Sequence, residues 1–450
     1  MRHVPTMDIP VTRVLFAAWI FVCAAAAAAW PQWRGPFHDG STVESNLPSC
    51  WSETSNVAWK TAMPGPGAST PVVCGGRVFL TTLVMQPGTN KWTDVAGVCA
   101  DARTGAILWQ KTLGPDRTRQ GYNAACNSPV TDGTTVWFFT GTGNLSAWDY
   151  AGTQRWARAL EKEHGLFMVK FGYHVSPLLY RGTLYIVVFQ NKTPGRYDKS
   201  DTRHGELESF ILALDAATGT TAWRHVRQSD ATDESMEAYI TPVPFEHEGR
   251  REVVVMGGEY VTGHDAGSGA ELWRWEFAPR DRKVFQRVVT SPVAGGGMIY
   301  AQRPQHRTLF ALSAGAKGRA DDGIVAWRFD GPTPDSNTPL LYRGRLYVVD
   351  CGRKTATCLD ARTGEQKWQQ PLNVKGTVRA SPTGADGKVY IVSEEGDVVV
   401  LAAGDAYREL CRTRMGGRPV RSTIVAADGA LFIRTADALY RIGRSAAAHP

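Results

Sequence analysis

The sequence predicts an all-β chain folded as an eight-bladed β-propeller of four-stranded antiparallel blades, with seven blades as the next count. Three observations predict it. The first is a motif that returns along the chain. It reads Leu-Ala-Leu-Asp-Ala-Ala-Thr-Gly-Thr-Thr-Ala-Trp at 212–223, Cys-Ala-Asp-Ala-Arg-Thr-Gly-Ala-Ile-Leu-Trp at 99–109 and Cys-Leu-Asp-Ala-Arg-Thr-Gly-Glu-Gln-Lys-Trp at 358–368, with a looser copy at 264–273. The second is its period. Trp59, Trp109, Trp156, Trp223, Trp273, Trp327 and Trp368 are separated by 50, 47, 67, 50, 54 and 41 residues, close to the ~40–50 residues of a four-stranded blade. The third is a marker between the Trp positions, Ser/Thr-Pro before an apolar run: Thr70-Pro71, Ser128-Pro129, Ser176-Pro177, Thr241-Pro242, Ser291-Pro292, Thr338-Pro339 and Ser381-Pro382, with Ser422-Thr423 as an eighth copy lacking the Pro.

Each copy of the motif reads as strand, tight turn, strand. The Asp can bond its own turn backbone, and the Gly accepts a positive φ. The Trp carries an apolar face that one hairpin cannot bury, so the unit must stack on a neighbour. These are strands C and D of a blade. The Pro of the marker suits the first residue of a strand, where no ladder donor is lost, and it opens strand A. A Gly-led turn and an aromatic strand, as in Gly-Arg-Leu-Tyr-Val-Val at 344–349, supply strand B.

The two ends complement each other. Asn-Val-Ala-Trp at 56–59 is a strand D with no A, B or C before it, and 422–442 supplies A, B and C with no D after them. The N-terminal strand is therefore expected to close the last blade and remove both open sheet edges. The propeller spans 56–443, preceded by an irregular strap at 30–55 with three Trp and followed by a short tail at 444–450.

Residues 14–29 are apolar and Ala-rich behind Arg2 and Arg13, with Ala27 and Ala29 before Trp30. This is the pattern of a secretory signal peptide covering 1–29, and it places the mature chain in the periplasm or outside the cell. Lipidation at Cys23 is a weaker alternative, since Phe21 and Val22 are bulky. The chain carries 43% hydrophobic and 21% charged residues, a globular composition with no other stretch able to span a bilayer. Removing Arg2, Arg13 and Asp8 with the leader takes the net charge from +7 to +6. No basic run gathers that charge, which argues against nucleic-acid binding. A monomer is expected. Seven of the eight Cys lie beyond the leader. Cys351 and Cys358, flanking a hairpin turn, are the disulfide candidates; a single pair with no nearby His is not a metal site.

The repeat Asp-Ala-x-Thr-Gly-x-x-x-Trp resembles the tryptophan-docking repeat of PQQ-like β-propellers, a family that includes quinoprotein alcohol dehydrogenases and the propeller lipoprotein of the outer-membrane β-barrel assembly machinery. Trp-Pro-Gln-Trp-Arg-Gly-Pro at 30–36 and Ile-Arg-Thr-Ala-Asp-Ala-Leu-Tyr at 433–440 are similar to a subgroup of secreted bacterial proteins labelled PQQ-binding-like. The dehydrogenase branch implies two adjacent cysteines over the quinone, a calcium ion held by Glu, Asn and Asp, and an Asp base. This chain has no Cys-Cys pair, and those ligand motifs find no counterpart. Nor does it carry a Gly-x-Ser-x-Gly elbow, a His-Glu-x-x-His helix or a phosphate loop. His204 and Glu206 read as a solvated loop.

The expectation is therefore a binding or assembly scaffold for a protein or a small anionic ligand, with no cofactor and no metal. A PQQ-dependent oxidoreductase using PQQ and calcium is the alternative. The site is expected at one mouth of the central channel, on the face shared by the D–A connections and the B–C loops. The residues just before the markers fall there: Asn127, Tyr173, His174, Glu237, Tyr239, Arg287, Asn337, Arg379 and Arg421. Three Arg against one Glu suggest a mouth that suits an anion, although polar residues can equally line a watery channel. The B–C insertions 83–95 and 190–208 would wall the same face.

Overall fold

A computed structural model describes residues 29–277, 287–304 and 308–443. The proposed signal peptide, Cys23 and the C-terminal tail lie outside the described residues, except for Ala29. Eight sheets ring a central axis, each with four antiparallel strands in A, B, C, D order. Blade 1 is Val72–Cys74, Arg77–Met85, Trp92–Asp101 and Ile107–Pro115. Blades 2 to 7 follow at 130–159, 178–226, 243–276, 293–329, 340–371 and 383–414. Blade 8 takes Val425–Ala427, Ala430–Arg434 and Ala438–Ile442, and its strand D is the N-terminal Val57–Ala62, with Thr61 opposite Leu439. Arg434, buried in blade 8, donates to Thr81 O (2.8 Å) and Gly65 O (3.1 Å) and ties the closing blade to the first. No helix among the described residues is long and apolar enough to cross a membrane.

The repeat has a direct physical reading. Asp101 Oδ1 accepts from Arg103 N, Thr104 N and Thr104 Oγ1 at 2.8–3.0 Å, closing the C–D turn; Asp360 does the same with Arg362 and Thr363. In six of the eight blades the Trp lies on the C–D turn of the next. Trp59 donates its indole N–H to Ala102 O, Trp109 to Tyr150 O, Trp156 to Ala216 O, Trp223 to Ala266 O, Trp327 to Ala361 O and Trp368 to Gly404 O, all at 3.0–3.2 Å. The turn Gly satisfies two demands. Gly364 has φ +74°, and a Cβ there would stand 2.6 Å from the Trp327 ring. Only glycine meets both the left-handed backbone and the close approach.

Two junctions depart from the repeat. Trp273 turns its N–H to Glu252 Oε2 in its own blade (2.6 Å), because that carboxylate is buried and needs a donor. Trp275 reaches the next blade instead, donating to Asp322 Oδ1 (3.0 Å), and a short strand Gly318–Ala320 adds to the edge of blade 4 in parallel. In blade 7 the position opposite Val400, taken by Trp in the other C–D pairs, is Cys411. Cys411 is bonded to Cys50 of the strap. Beside it the strap buries Trp51, whose indole N–H points to Met415 Sδ (3.1 Å) and whose carbonyl accepts from Thr413 Oγ1 (2.6 Å). The strap thus supplies at this junction the indole that blade 7 lacks.

This corrects the expected Cys351–Cys358 disulfide, since both thiols are free. Cys358 pairs with Tyr347, four residues before Cys351 on the partner strand (351−347). Four extended residues span ~13 Å, twice the Cα separation a disulfide allows. Cys351 Sγ accepts from Asp335 N (3.2 Å) instead.

Candidate functional site: a blind axial cup

The strap does more than lie on the propeller: it enters the channel. Trp30 pairs with Val73 of strand A in blade 1, and Pro31 O accepts from Thr131 N of blade 2. Arg34, fully buried, donates to Pro339 O (2.9 Å) and Pro382 O (3.3 Å), the marker prolines of blades 6 and 7. Burial pushes its guanidinium down to about 10, against the pull of Asp39. Strand A is innermost, and its backbone groups facing the axis have no sheet partner. The strap satisfies several of them. Trp33 at its tip becomes the floor of a cavity of about 230 Å³.

The wall of this cup explains why the marker is Ser or Thr. Thr70 N donates to Ser128 Oγ and Ser128 N to Ser176 Oγ; Thr241 N donates to Ser291 Oγ, Ser291 N to Thr338 Oγ1, Thr338 N to Ser381 Oγ, and Thr423 N to Thr70 Oγ1, all at 2.9–3.1 Å. Each amide thus reaches the hydroxyl of the following blade, in a belt around the axis. Thr70, Ser128, Ser176, Thr241, Ser381 and Thr423 also line the cup.

The rim comes from the D–A connections. His174, Tyr239, Arg287, Arg379 and Arg421 all line the cup. Arg421 lies over the Tyr122 ring (5.0 Å) and Arg287 over Phe171 (4.9 Å). Every guanidinium has a carboxylate. Glu394 Oε1 takes Arg421 Nε (2.7 Å) and Arg379 Nε (3.1 Å); Arg287 meets Glu234 Oε2 (3.2 Å) and Asp335 Oδ2 (3.8 Å). Lys170 also pairs with Glu234. His174 Nε2 donates to Phe171 O (2.6 Å), and burial pushes the ring down to about 4, so it is neutral at neutral pH.

Four of the nine expected mouth residues, Tyr173, Glu237, Asn127 and Asn337, stand behind the cup and do not line it. Tyr173 is a core residue packed on Phe139 and Phe167, its hydroxyl donated to Val187 O (2.6 Å). Glu237 is buried and accepts from Lys170 N (2.9 Å), Tyr197 OH (2.6 Å) and Tyr239 OH (2.8 Å). Burial raises its carboxyl pKa, and those hydrogen bonds oppose the rise. It holds Tyr239 in place at the rim. Asn127 and Asn337 join neighbouring blades through Nδ2 to Val175 O (2.7 Å) and Val378 O (2.8 Å). Insertion 83–95 is largely an extension of the B–C hairpin of blade 1. Glu206 pairs with Lys192 on the surface. Sequence reasoning missed Trp33, Tyr122, Phe171, Glu394, Glu234 and Asp335. Trp33 alone left a signal, in the Trp-rich strap.

Comparison with known proteins agrees with this architecture. The family described as outer membrane protein assembly factor BamB matches residues 41–193, 94–319 and 316–435. The chain belongs to this family. The crystal structure of BamB from Moraxella catarrhalis is similar with a TM-score of 0.55 at 14% identity, over 86% of this chain and 99% of that one. Quinohemoprotein alcohol dehydrogenase from Comamonas testosteroni is similar with a TM-score of 0.59 at 13% identity, over 96% and 83%. At such identities the likeness is one of fold. No curated protein matches in sequence.

Proposed function

We propose that this BamB-family propeller is an exported, non-catalytic binding module that recognises a partner polypeptide or a small anionic ligand at the open end of its axial cup. The observation that carries this reading is that three blades each bring a guanidinium to one cavity whose floor is the chain's own strap. The long Arg287–Asp335 pair, at 3.8 Å, is the one an incoming carboxylate would replace at least cost. The aromatic faces of Tyr122, Phe171 and Trp33 suit the apolar part of such a ligand. The description of the family as an assembly factor supports a protein partner and a place in the cell envelope.

A quinone with calcium fits the cup poorly. Asp335 lines it and Glu394 and Glu234 stand behind its arginines, and all three are engaged by cations. Among the described residues no three acidic, His or Cys side chains of the cup converge as metal ligands do. Its single thiol is Cys126. The test is binding of acidic peptides to wild type and to the triple Arg287→Ala, Arg379→Ala, Arg421→Ala variant. Salt-sensitive binding lost in a folded variant supports the reading. Equal binding by both removes the cup as the site. PQQ retained with calcium through gel filtration would favour the oxidoreductase.

A further inference from the structure

Outside the cup, the groove between blades 3 and 4 gathers a second set of side chains. We propose that His225, His264 and Glu271 form a binding site there for a divalent transition-metal ion of the zinc type. One ligand atom from each lies within 4.8 Å of the others.

The fold brings them together for reasons visible in the strands. His264 and Glu271 are cross-strand partners in the C–D pair of blade 4, so both face the same way. His225 lies two residues after Trp223 on strand D of blade 3, and residues two apart share a strand face. Trp223 docks on blade 4 through Ala266 O, so His225 is turned to blade 4 as well. The two imidazoles meet with ring centroids 4.7 Å apart. His225 Nε2 stands 3.9 Å from Glu271 Oε2. Ligand atoms on a tetrahedral ion with bonds of ~2.1 Å are ~3.4 Å apart, so a shift on the order of 1 Å closes the set.

The chemistry suits such an ion. A neutral imidazole offers a lone pair at one ring nitrogen, and His225 and His264 can each supply one. Two imidazoles and one carboxylate are a familiar donor set for zinc and its neighbours. His264 has a contact at each ring nitrogen, Gly269 O to Nδ1 (3.3 Å) and Thr262 Oγ1 to Nε2 (2.9 Å). One can give way to the ion while the other orients the ring. His264 is buried, whereas the side chains of His225 and Glu271 keep 27% and 18% of their exposure, which leaves a path from solvent.

Arg274 opposes the site. It holds both carboxylate oxygens of Glu271, Nε to Oε1 at 2.5 Å and Nη2 to Oε2 at 2.7 Å. An ion must share Glu271 with it, and this sets the sign of a test. Zn²⁺ and Co²⁺ are titrated into the folded full chain at neutral pH, read by calorimetry and by the visible absorption of bound Co²⁺. Wild type is expected to take one ion. His225→Gln and Glu271→Gln each weaken binding at least ~10-fold, and Arg274→Gln tightens it, with circular dichroism unchanged in all three. An ion not retained by wild type, or one retained equally by His225→Gln, overturns the site.

Discussion

Cys411 stands opposite Val400 in the register that Trp368 keeps with Cys358, so a half-cystine occupies the docking position of blade 7. Its bond to Cys50 and the burial of Trp51 beside it make the strap part of the propeller's closure. The strap therefore serves both ends of the design: it completes the junction of blades 7 and 8 at the outer edge of the ring and floors the cup at the axis.

The first prediction follows from that bond. Its partners are 361 residues apart, and closing so long a loop stabilises by up to ~5 kcal/mol in the chain-entropy account. Cys50→Ser, Cys411→Ser and the double variant should lose similar amounts in urea titrations, and reduction should lower wild type to the same level. A wild type indifferent to reductant would show that non-covalent contacts alone hold the strap.

The second concerns the turn glycines of blade 6. Gly344 and Gly364 both have positive φ, +70° and +74°, but a Cβ at Gly344 meets nothing within 4 Å whereas one at Gly364 meets Trp327 at 2.6 Å. Gly344→Ala should cost about 1 kcal/mol for backbone strain, and Gly364→Ala about 2–4 kcal/mol once overpacking is added. Equal losses would mean that the Trp dock contributes little.

The third separates docking from strap indoles. Trp223→Ala removes a ring stacked on the turn of blade 4 and should cost ~3–5 kcal/mol. Trp33→Ala should cost much less and enlarge the cup. Chemical denaturation of both variants decides; matched losses would contradict the assigned roles.

The fourth concerns closure. Deleting residues 30–62 removes the strap and the strand paired with Ala438–Ile442, reopening two sheet edges. The melting temperature should fall sharply and the protein should aggregate on heating. An unchanged melting curve would refute closure by this strand.

The fifth is a pH dependence. His174 and His264 titrate near 4 and 3 in the fold, against 6.5 when free. The unfolded chain therefore binds more protons between those limits, and stability is full above pH ~6.5 and falls as the pH drops towards ~4. In urea midpoints measured across that window, His174→Gln should flatten the decline. A variant as acid-sensitive as wild type would remove His174 from the account.

Much of this was legible in the chain. The Asp, Gly and Trp of the repeat act locally or on the next blade in register, so their spacing in Leu212–Trp223 and its copies carries the architecture, and the missing strands at the two ends carry the closure. The Ser/Thr-Pro marker located strand A, but the reason for its hydroxyl appears only around the ring, where Thr70 N meets Ser128 Oγ. Arg287, Arg379 and Arg421 could be placed at one mouth because each precedes a marker. Their partners Glu234, Asp335 and Glu394 lie on D–A connections and a B–C turn of the same face, but no marker singles them out, and which carboxylate meets which guanidinium is set by the folded paths of those loops rather than by the period. The disulfide shows the same limit. Cys50 and Cys411 are distant in sequence, and only the return of the strap across blade 7 brings them together, whereas the neighbours Cys351 and Cys358 are kept apart by strand register. Local chemistry and period determined the blades; the closure of the ring decided which side chains face one another across it.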